Sequence, residues 1–369
     1  MNVLHLTTHL NVGGITTYIL RLIKPLRNLG DQTFVLSSGG KCVPELEERG
    51  AKTFKLPIRT KSELNPILYL SIPAVKKIIR DHKIDLLHAH TRVTQVMAYW
   101  IQKSIGIPVV TTCHGFYKNR LGRRILPAWG DRVIAISQGV ADHLRDDFKV
   151  SPTKIRVVNN GVDLDEIDPA YKVHDPEQAK LKYGFSKNDL VIGIVAQLVA
   201  DKGHEYLIQA IHILQKEFPS IRLLIVGDGN QKKNLQKLVA ELKLEKRVIL
   251  TGNISDVTHP LAATDIFALP ATWREGFGLS IVEAMACHKP VIVSNIWALN
   301  ALIENKVTGI LIEPRQVETL AHAISQLVKN PALQREIGTN ARKMVEDFFS
   351  ITRMAKEVHE VYLEITGKP

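Results

Sequence analysis

The sequence predicts an α/β protein built as two successive Rossmann-like domains, each a parallel sheet wrapped by helices. Three observations carry this. The chain has 369 residues, more than a single core usually fills. Short β-branched runs alternate with longer stretches of helical spacing, which marks βαβ units. Finally, the alternation breaks once and then starts again.

The first series opens at residues 3–6 and continues at 33–36, 85–88, 109–112 and 133–136. Residues 14–29, after the first run, carry apolar side chains at helical spacing. The second series runs through residues 191–195, 223–226, 248–250, 266–269, 291–293 and 310–312. These runs are apolar on both faces, as expected of strands buried beneath helices on each side. Between the series, residues 163–189 are rich in charge, carry Pro169, Pro176 and Gly184, and show no strand pattern, so they read as the linker. The expected divisions are 1–165, 166–349 and a terminal helix in 350–369.

Composition excludes several classes. Cys42, Cys113 and Cys287 lie far apart and form no C-x-x-C, which argues against a disulfide framework or zinc site. The first residues lack the charged and apolar regions of a signal peptide, and no apolar run nears the ~18 residues of a membrane-spanning helix. A cytoplasmic protein is expected. The net charge of +11 is one-sided: residues 1–165 hold 24 Lys+Arg against 13 Asp+Glu, and the remainder holds 24 of each. A basic first half suggests an anionic partner. Its focus is residues 116–129, where Lys118, Arg120, Arg123 and Arg124 interleave with Leu121, Ile125, Leu126 and Trp129. Such a mixture suits the inner face of an anionic membrane, and equally an internal amphipathic helix.

The segment richest in chemistry is 271–290, A-T-W-R-E-G-F-G-L-S-I-V-E-A-M-A-C-H-K-P. Gly276 and Gly278 permit close backbone approach, and a helix starting near Gly278 offers free N–H groups to a diphosphate. Glu283 falls in the first turns, where a carboxylate can accept both ribose hydroxyls. Glu275 precedes the helix and can accept from sugar hydroxyls.

This segment resembles the E-x7-E signature of the retaining glycosyltransferases of family 4, which have the GT-B architecture of two Rossmann-like domains facing a central cleft. Further pieces follow in that family's order. Asn11-Val12-Gly13-Gly14 resembles its glycine loop, Thr111-Thr112-Cys113-His114-Gly115 its histidine motif, and Ile134-Ala135-Ile136-Ser137 its I-A-x-S segment. Asn160-Gly161-Val162-Asp163 is similar to its N-G-hydrophobic-D, Asp201-Lys202-Gly203 to its K-G turn, and Gly227-Asp228-Gly229 to its G-x-G.

The resemblance implies retaining transfer of a sugar, of hexosyltransferase type, from a nucleoside diphosphate to a lipid-linked, lipopolysaccharide-type or other glycan acceptor. It implies no cofactor and no metal. The nucleotide would sit mainly on the C-terminal domain, the acceptor on the N-terminal one, and the terminal helix would pack back on the latter. By position, Gly13 and Gly14 would border the phosphates, His114 would hydrogen-bond the moving sugar, and Lys202 would stabilise the leaving diphosphate. Gly227, Asn253 and Ile254 would lie near the nucleotide; Gly276, Phe277, Gly278 and Leu279 would form the phosphate loop. Glu275 would orient the sugar and Glu283 hold the ribose.

Three departures stand out. Gln197 replaces an arginine, Trp297-Ala298 stand near a usual G-G pair, and Ala301 replaces a Glu. They keep a non-catalytic nucleotide-sugar binder as an alternative, and a sugar-nucleotide epimerase has a similar architecture. Asp163-Leu164-Asp165 is formally D-x-D but reads as a turn. His88 and His90 stand one apart at a strand end with no third metal ligand evident. No Walker motif and no nucleic-acid reading module is visible.

Overall fold

A computed structural model describes residues 1–118, 120–254, 256–273 and 275–368. The chain forms two compact units, one of Met1–Gly161 with Ile351–Pro369 and one of Val162–Ser350.

The first unit holds seven parallel strands: β1 Asn2–Leu6, β2 Gln32–Ser37, β3 Lys52–Lys55, β4 Leu86–Ala89, β5 Val109–Cys113, β6 Arg132–Ala135 and β7 Ile155–Val157. Their order is β3-β2-β1-β4-β5-β6-β7, so the winding reverses between β1 and β4. The strands are legible as continuous apolar runs because both faces are covered. β3 and β7 are the exceptions: both are short edge strands, K-T-F-K and I-R-V, with exposed residues. The helices begin and end on ordinary signals. Thr91 makes a capping box for Arg92–Ile105, which stops at Gly106 in the left-handed region. Ser137 accepts from Val140 N to cap Gln138–Phe148. The helix Gly14–Asn28 and the last helix, Ile351–Thr366, pack together, the latter burying Met354, Ala355, Val358, Val361 and Tyr362. That spacing is one face of a 3.6-residue period.

The second unit holds six parallel strands: β8 Leu190–Val195, β9 Ile221–Val226, β10 Val248–Leu250, β11 Ile266–Leu269, β12 Val291–Ser294 and β13 Ile310–Ile312. The order is β10-β9-β8-β11-β12-β13, with the reversal between β8 and β11. The interval 163–189 is not bare linker. It contains the helices Leu164–Lys172 and Pro176–Lys182, capped by Asp163 and Asp175. The formal D-x-D is thereby explained, since the Asp163 carboxylate accepts from Asp165 N and Glu166 N. Arg342 anchors the first of these helices through a bidentate pair with Asp168 and a 2.9 Å bond to Ala286 O.

Candidate functional site

In an open parallel sheet, ligands bind beyond the carboxyl ends of the strands where the winding reverses. In the second unit this crevice is edged by the loops after β8, β9 and β11, and those loops are stapled to each other through backbone. Ala196 N donates to Val226 O at 3.0 Å, and Leu198 N to Asp228 O at 3.0 Å. Gly203 closes the K-G turn at φ 73°, and a Cβ there would overlap the carbonyl oxygen of Pro270. Thr272 N donates to Asp201 O at 2.9 Å. This packing carries Lys202 to Glu275, although they are 73 positions apart in the sequence.

The Lys202 ammonium and the Glu275 carboxylate form a direct ion pair, with side chains only 23% and 17% exposed. The second oxygen of Glu275 accepts from Gly276 N at 3.2 Å. Two residues on, Gly278 at φ 87° starts the helix Leu279–Ala286, and no side chain among the described residues caps it. A Cβ at Gly278 would press on Leu299 and Ile281, so the tip is shaped by the absence of a side chain. Free N–H groups therefore stand beside a shielded lysine, an arrangement that attracts phosphoryl oxygens. Glu283 lies within this helix and is buried.

The other expected donor-side residues are spread around this centre. Gly227 is buried and bridges Gly252, and a side chain on it would strike Ala196 O. Asn253 is exposed, while Ile254 packs against the cluster of Phe185, Val191 and Ala262. Phe277 is buried edge-on to Phe349, 5.8 Å between centroids. Gln197 is exposed at the β8 loop, and Leu279 is half-buried. Trp297 is half exposed, Ala301 is exposed, and buried Ala298 holds φ 74°, a conformation glycine adopts more readily. Arg274, inside the 271–290 segment, and Asn119, inside the 116–129 segment, lie outside the described residues.

In the first unit, Gly13 and Gly14 are exposed at the entry to the helix Gly14–Asn28, with open space where a Cβ would point. Thr16 Oγ1 donates to Asn11 O at 2.7 Å and fixes this turn. At the reversal between β1 and β4, the sheet gathers four histidines. His5 of β1 registers with His88 of β4, which registers with Val110 of β5. Strand alternation puts His90, Thr112 and His114 on the same face. His5 Nδ1 shares a hydrogen bond with His90 Nε2 (2.9 Å), and His90 Nδ1 shares one with His114 Nε2 (3.1 Å). His88 bonds Thr112 Oγ1 (2.6 Å) and Tyr362 Oη (2.7 Å). The Tyr18 ring stands edge-on to His114, 4.8 Å between centroids.

His5 is thus the third histidine that spacing alone did not supply beside His88 and His90, and the three approach metal-ligand range. Among the described residues, however, five of their six ring nitrogens already have hydrogen-bond partners, and His5 Nε2 is the one left over. Burial holds all four rings neutral. It pushes His5 and His114 down to about 3, and His88 and His90 well below the usual imidazole value.

The basic segment requires a correction. Lys118, Arg120 and Arg124 are exposed, as are Leu121 and Ile125, but Arg123 is not on this surface. Its guanidinium lies 4.3 Å from the Tyr117 centroid and 4.7 Å from that of buried Trp129, and it donates to Gln95 Oε1 at 3.2 Å. Stacking and a buried acceptor compensate its lost hydration. Arg92 ties the segment down, pairing with Glu63 and donating to the carbonyls of Gly122, Leu126 and Pro127. Among the described residues, no helix is long and apolar enough to cross a membrane.

Comparison with known proteins agrees with this architecture. The family model described as "Glycosyltransferase Family 4" matches residues 12–166, and that described as "Glycosyl transferases group 1" matches residues 175–344. An Escherichia coli UDP-Gal:alpha-D-GlcNAc-diphosphoundecaprenol alpha-1,3-galactosyltransferase is 28% identical over 80% of this chain and 79% of the relative. A glycosyltransferase structure from Rickettsia africae superposes with a TM-score of 0.89 at 27% identity, covering 100% of this chain and 99% of that one. The Anabaena protein Alr3699/HepE in complex with UDP-glucose has the same fold, at TM-score 0.84 and 24% identity, covering 99% and 100%. Two parallel-sheet units of Rossmann order, matched in turn by the two halves of one family, identify the chain as a member of the family 4, group 1 glycosyltransferases, with the GT-B fold.

Proposed function

We propose that this chain transfers a hexose-type sugar from a UDP-sugar to a glycan or lipid-diphosphate-linked acceptor, with retention at the anomeric carbon. The observation that carries the proposal is the Lys202–Glu275 pair beside the uncapped helix tip at Gly278. A diphosphate arriving there would draw Lys202 away from Glu275. The lysine would then neutralise charge developing on the leaving group, and the freed carboxylate would accept from sugar hydroxyls. Glu283 would hold the ribose, and His114 would hydrogen-bond the sugar. The E. coli relative's printed UDP-Gal donor and diphosphoundecaprenol-linked acceptor support this substrate class.

In retaining transfer the glycosidic bond to the diphosphate breaks, and the acceptor hydroxyl enters on the same face. The departing phosphate oxygen takes the hydroxyl proton. Lys202 supplies the cation, so a chelator should leave transfer intact. A thermal-shift series of UDP-, GDP- and ADP-sugars tests the donor class, because a bound donor stabilises by RT ln(1 + [L]/Kd). Proton NMR of the product's anomeric centre tests stereochemistry. Stabilisation by no sugar nucleotide would end the proposal. Donor stabilisation without transfer to any acceptor would favour the non-catalytic reading that exposed Gln197 keeps open.

Attachment to an anionic membrane belongs to the same proposal. Lys118, Arg120 and Arg124 flank Leu121 and Ile125, which are 71% and 74% exposed. Three cations supply about 3 kcal/mol near an anionic surface, and two apolar side chains add to it. Binding of this protein to anionic but not neutral liposomes is expected.

A further inference from the structure

The row His5–His90–His114 crosses three strand ends, and its hydrogen-bond arithmetic is closed. Each neutral imidazole carries one N–H, so a ring that uses one nitrogen to donate must use the other to accept. His90 is bonded on both nitrogens, which leaves two coherent arrangements. In one, His5 Nδ1–H donates to His90 Nε2, His90 Nδ1–H donates to His114 Nε2, and His114 carries its proton on Nδ1. In the other every bond is reversed, and His114 carries it on Nε2.

The buried end separates them. His5 is fully buried, and its Nε2 has no hydrogen-bond partner among the described residues. The reversed arrangement would strand an N–H there, whereas the first leaves only an acceptor short. Orphaned buried N–H groups are the rarer of the two. At the other end, no hydrogen bond to His114 Nδ1 occurs among the described residues, and the ring is half-buried. The Tyr18 ring, at 87° to the His114 plane, limits its rotation.

We infer that His5 and His90 are positioning residues that lock His114 in the neutral Nδ1–H tautomer, so that this histidine presents a fixed N–H donor to an oxygen acceptor of its ligand. That the ligand is the donor sugar rests on the function proposed above; the tautomer does not. A neutral, pre-aimed donor needs no proton uptake on binding and no reorientation, which is the economy of a preorganised site.

The test is NMR of the full chain labelled with 15N-histidine, at pH 7 and without nucleotide. Long-range 1H–15N correlations distinguish protonated from unprotonated ring nitrogens, and loss of a signal set in His114→Gln assigns that ring. The expected result is a single tautomer for His114, protonated at Nδ1. A His114 protonated at Nε2, or averaged between the two, overturns the inference. His90→Gln supplies an amide that can either donate or accept, so His114 should lose its single tautomer. An unchanged His114 in that variant also overturns the inference, because the neighbouring rings would not be setting it. Titrating UDP-sugar into the same sample separates the two claims. An Nδ1–H signal that is present but insensitive to every sugar nucleotide would uphold the locked tautomer and count against the donor-site role.

Discussion

Acidification should destabilise the first unit through its buried histidines well before carboxylates begin to titrate. His5 and His114 have native pKa values near 3, against 6.5 for the free side chain. Between those values the unfolded chain binds a proton that the native fold refuses. Stability is therefore complete above pH 6.5 and falls as pH drops towards 3, by about 1.4 kcal/mol per unit for each such ring. At pH 5.0 each ring costs about 2 kcal/mol, hence about 4 kcal/mol for the two. His88 and His90 are shifted in the same direction and add to the loss. A domain with a total stability of 5–15 kcal/mol would lose a large share of it. The assay is urea equilibration at pH 7.5 and pH 5.0, followed by a hydrogen-exchange pulse at one fixed pH. Peptides from β1 and β4 report the first unit, and peptides from β8 and β11 report the second. The β1 and β4 midpoints should fall at pH 5.0, and His5→Gln should shrink that fall by about 2 kcal/mol while lowering stability at pH 7.5. Equal β1 midpoints at both pH values would refute the premise that these rings are kept neutral.

Four further outcomes follow from the geometry. Lys202→Ala should reduce kcat/KM for the donor about 100-fold, the scale of losing one charge-stabilising group at a reacting centre; an unchanged value in initial-rate assays would place the diphosphate elsewhere. Gly203→Ala adds a methyl that overlaps Pro270 O at a left-handed φ. It should cost about 2–4 kcal/mol in urea denaturation and abolish the UDP-sugar thermal shift. Arg123→Ala should destabilise the first unit by about 2–3 kcal/mol, through lost stacking and a stranded Gln95, yet leave liposome co-sedimentation unchanged. Neutralising Lys118, Arg120 and Arg124 together should do the reverse.

Most of the sheet was legible because strands covered on both faces write themselves as uninterrupted apolar runs. β3 and β7 were not, because an edge strand of three or four residues shows lysine or arginine to water and resembles a loop. The helix Leu164–Lys172 hid within charge, although Asp163 before Asp165 and Glu166 is a capping signal that could have revealed it. Glu275 and Glu283 stand out in the sequence because they lie eight apart in one glycine-rich loop and the helix that follows it. Lys202, the partner of Glu275, was reached only through family resemblance, since backbone packing across the sheet end closes a sequence separation of 73. The cluster of four histidines was half visible as His88-Ala89-His90. Adding His5 requires knowing that β1 and β4 are neighbours in register. Arg123 was misplaced for a related reason: nothing in its neighbourhood says which arginine turns inward, and part of its aromatic box, Phe148, comes from another helix.

The first unit is interrupted: it stops at Gly161 and resumes at Ile351. On the ribosome, at roughly 5–20 residues per second, its closing helix emerges some tens of seconds after its last strand. Throughout that delay His88 lacks Tyr362 and the helix Gly14–Asn28 has a bare apolar flank. The inserted unit, contiguous in the chain, can meanwhile complete itself. The order of maturation is therefore the inverse of the order of synthesis, and the nascent N-terminal half is the part that would call on a chaperone.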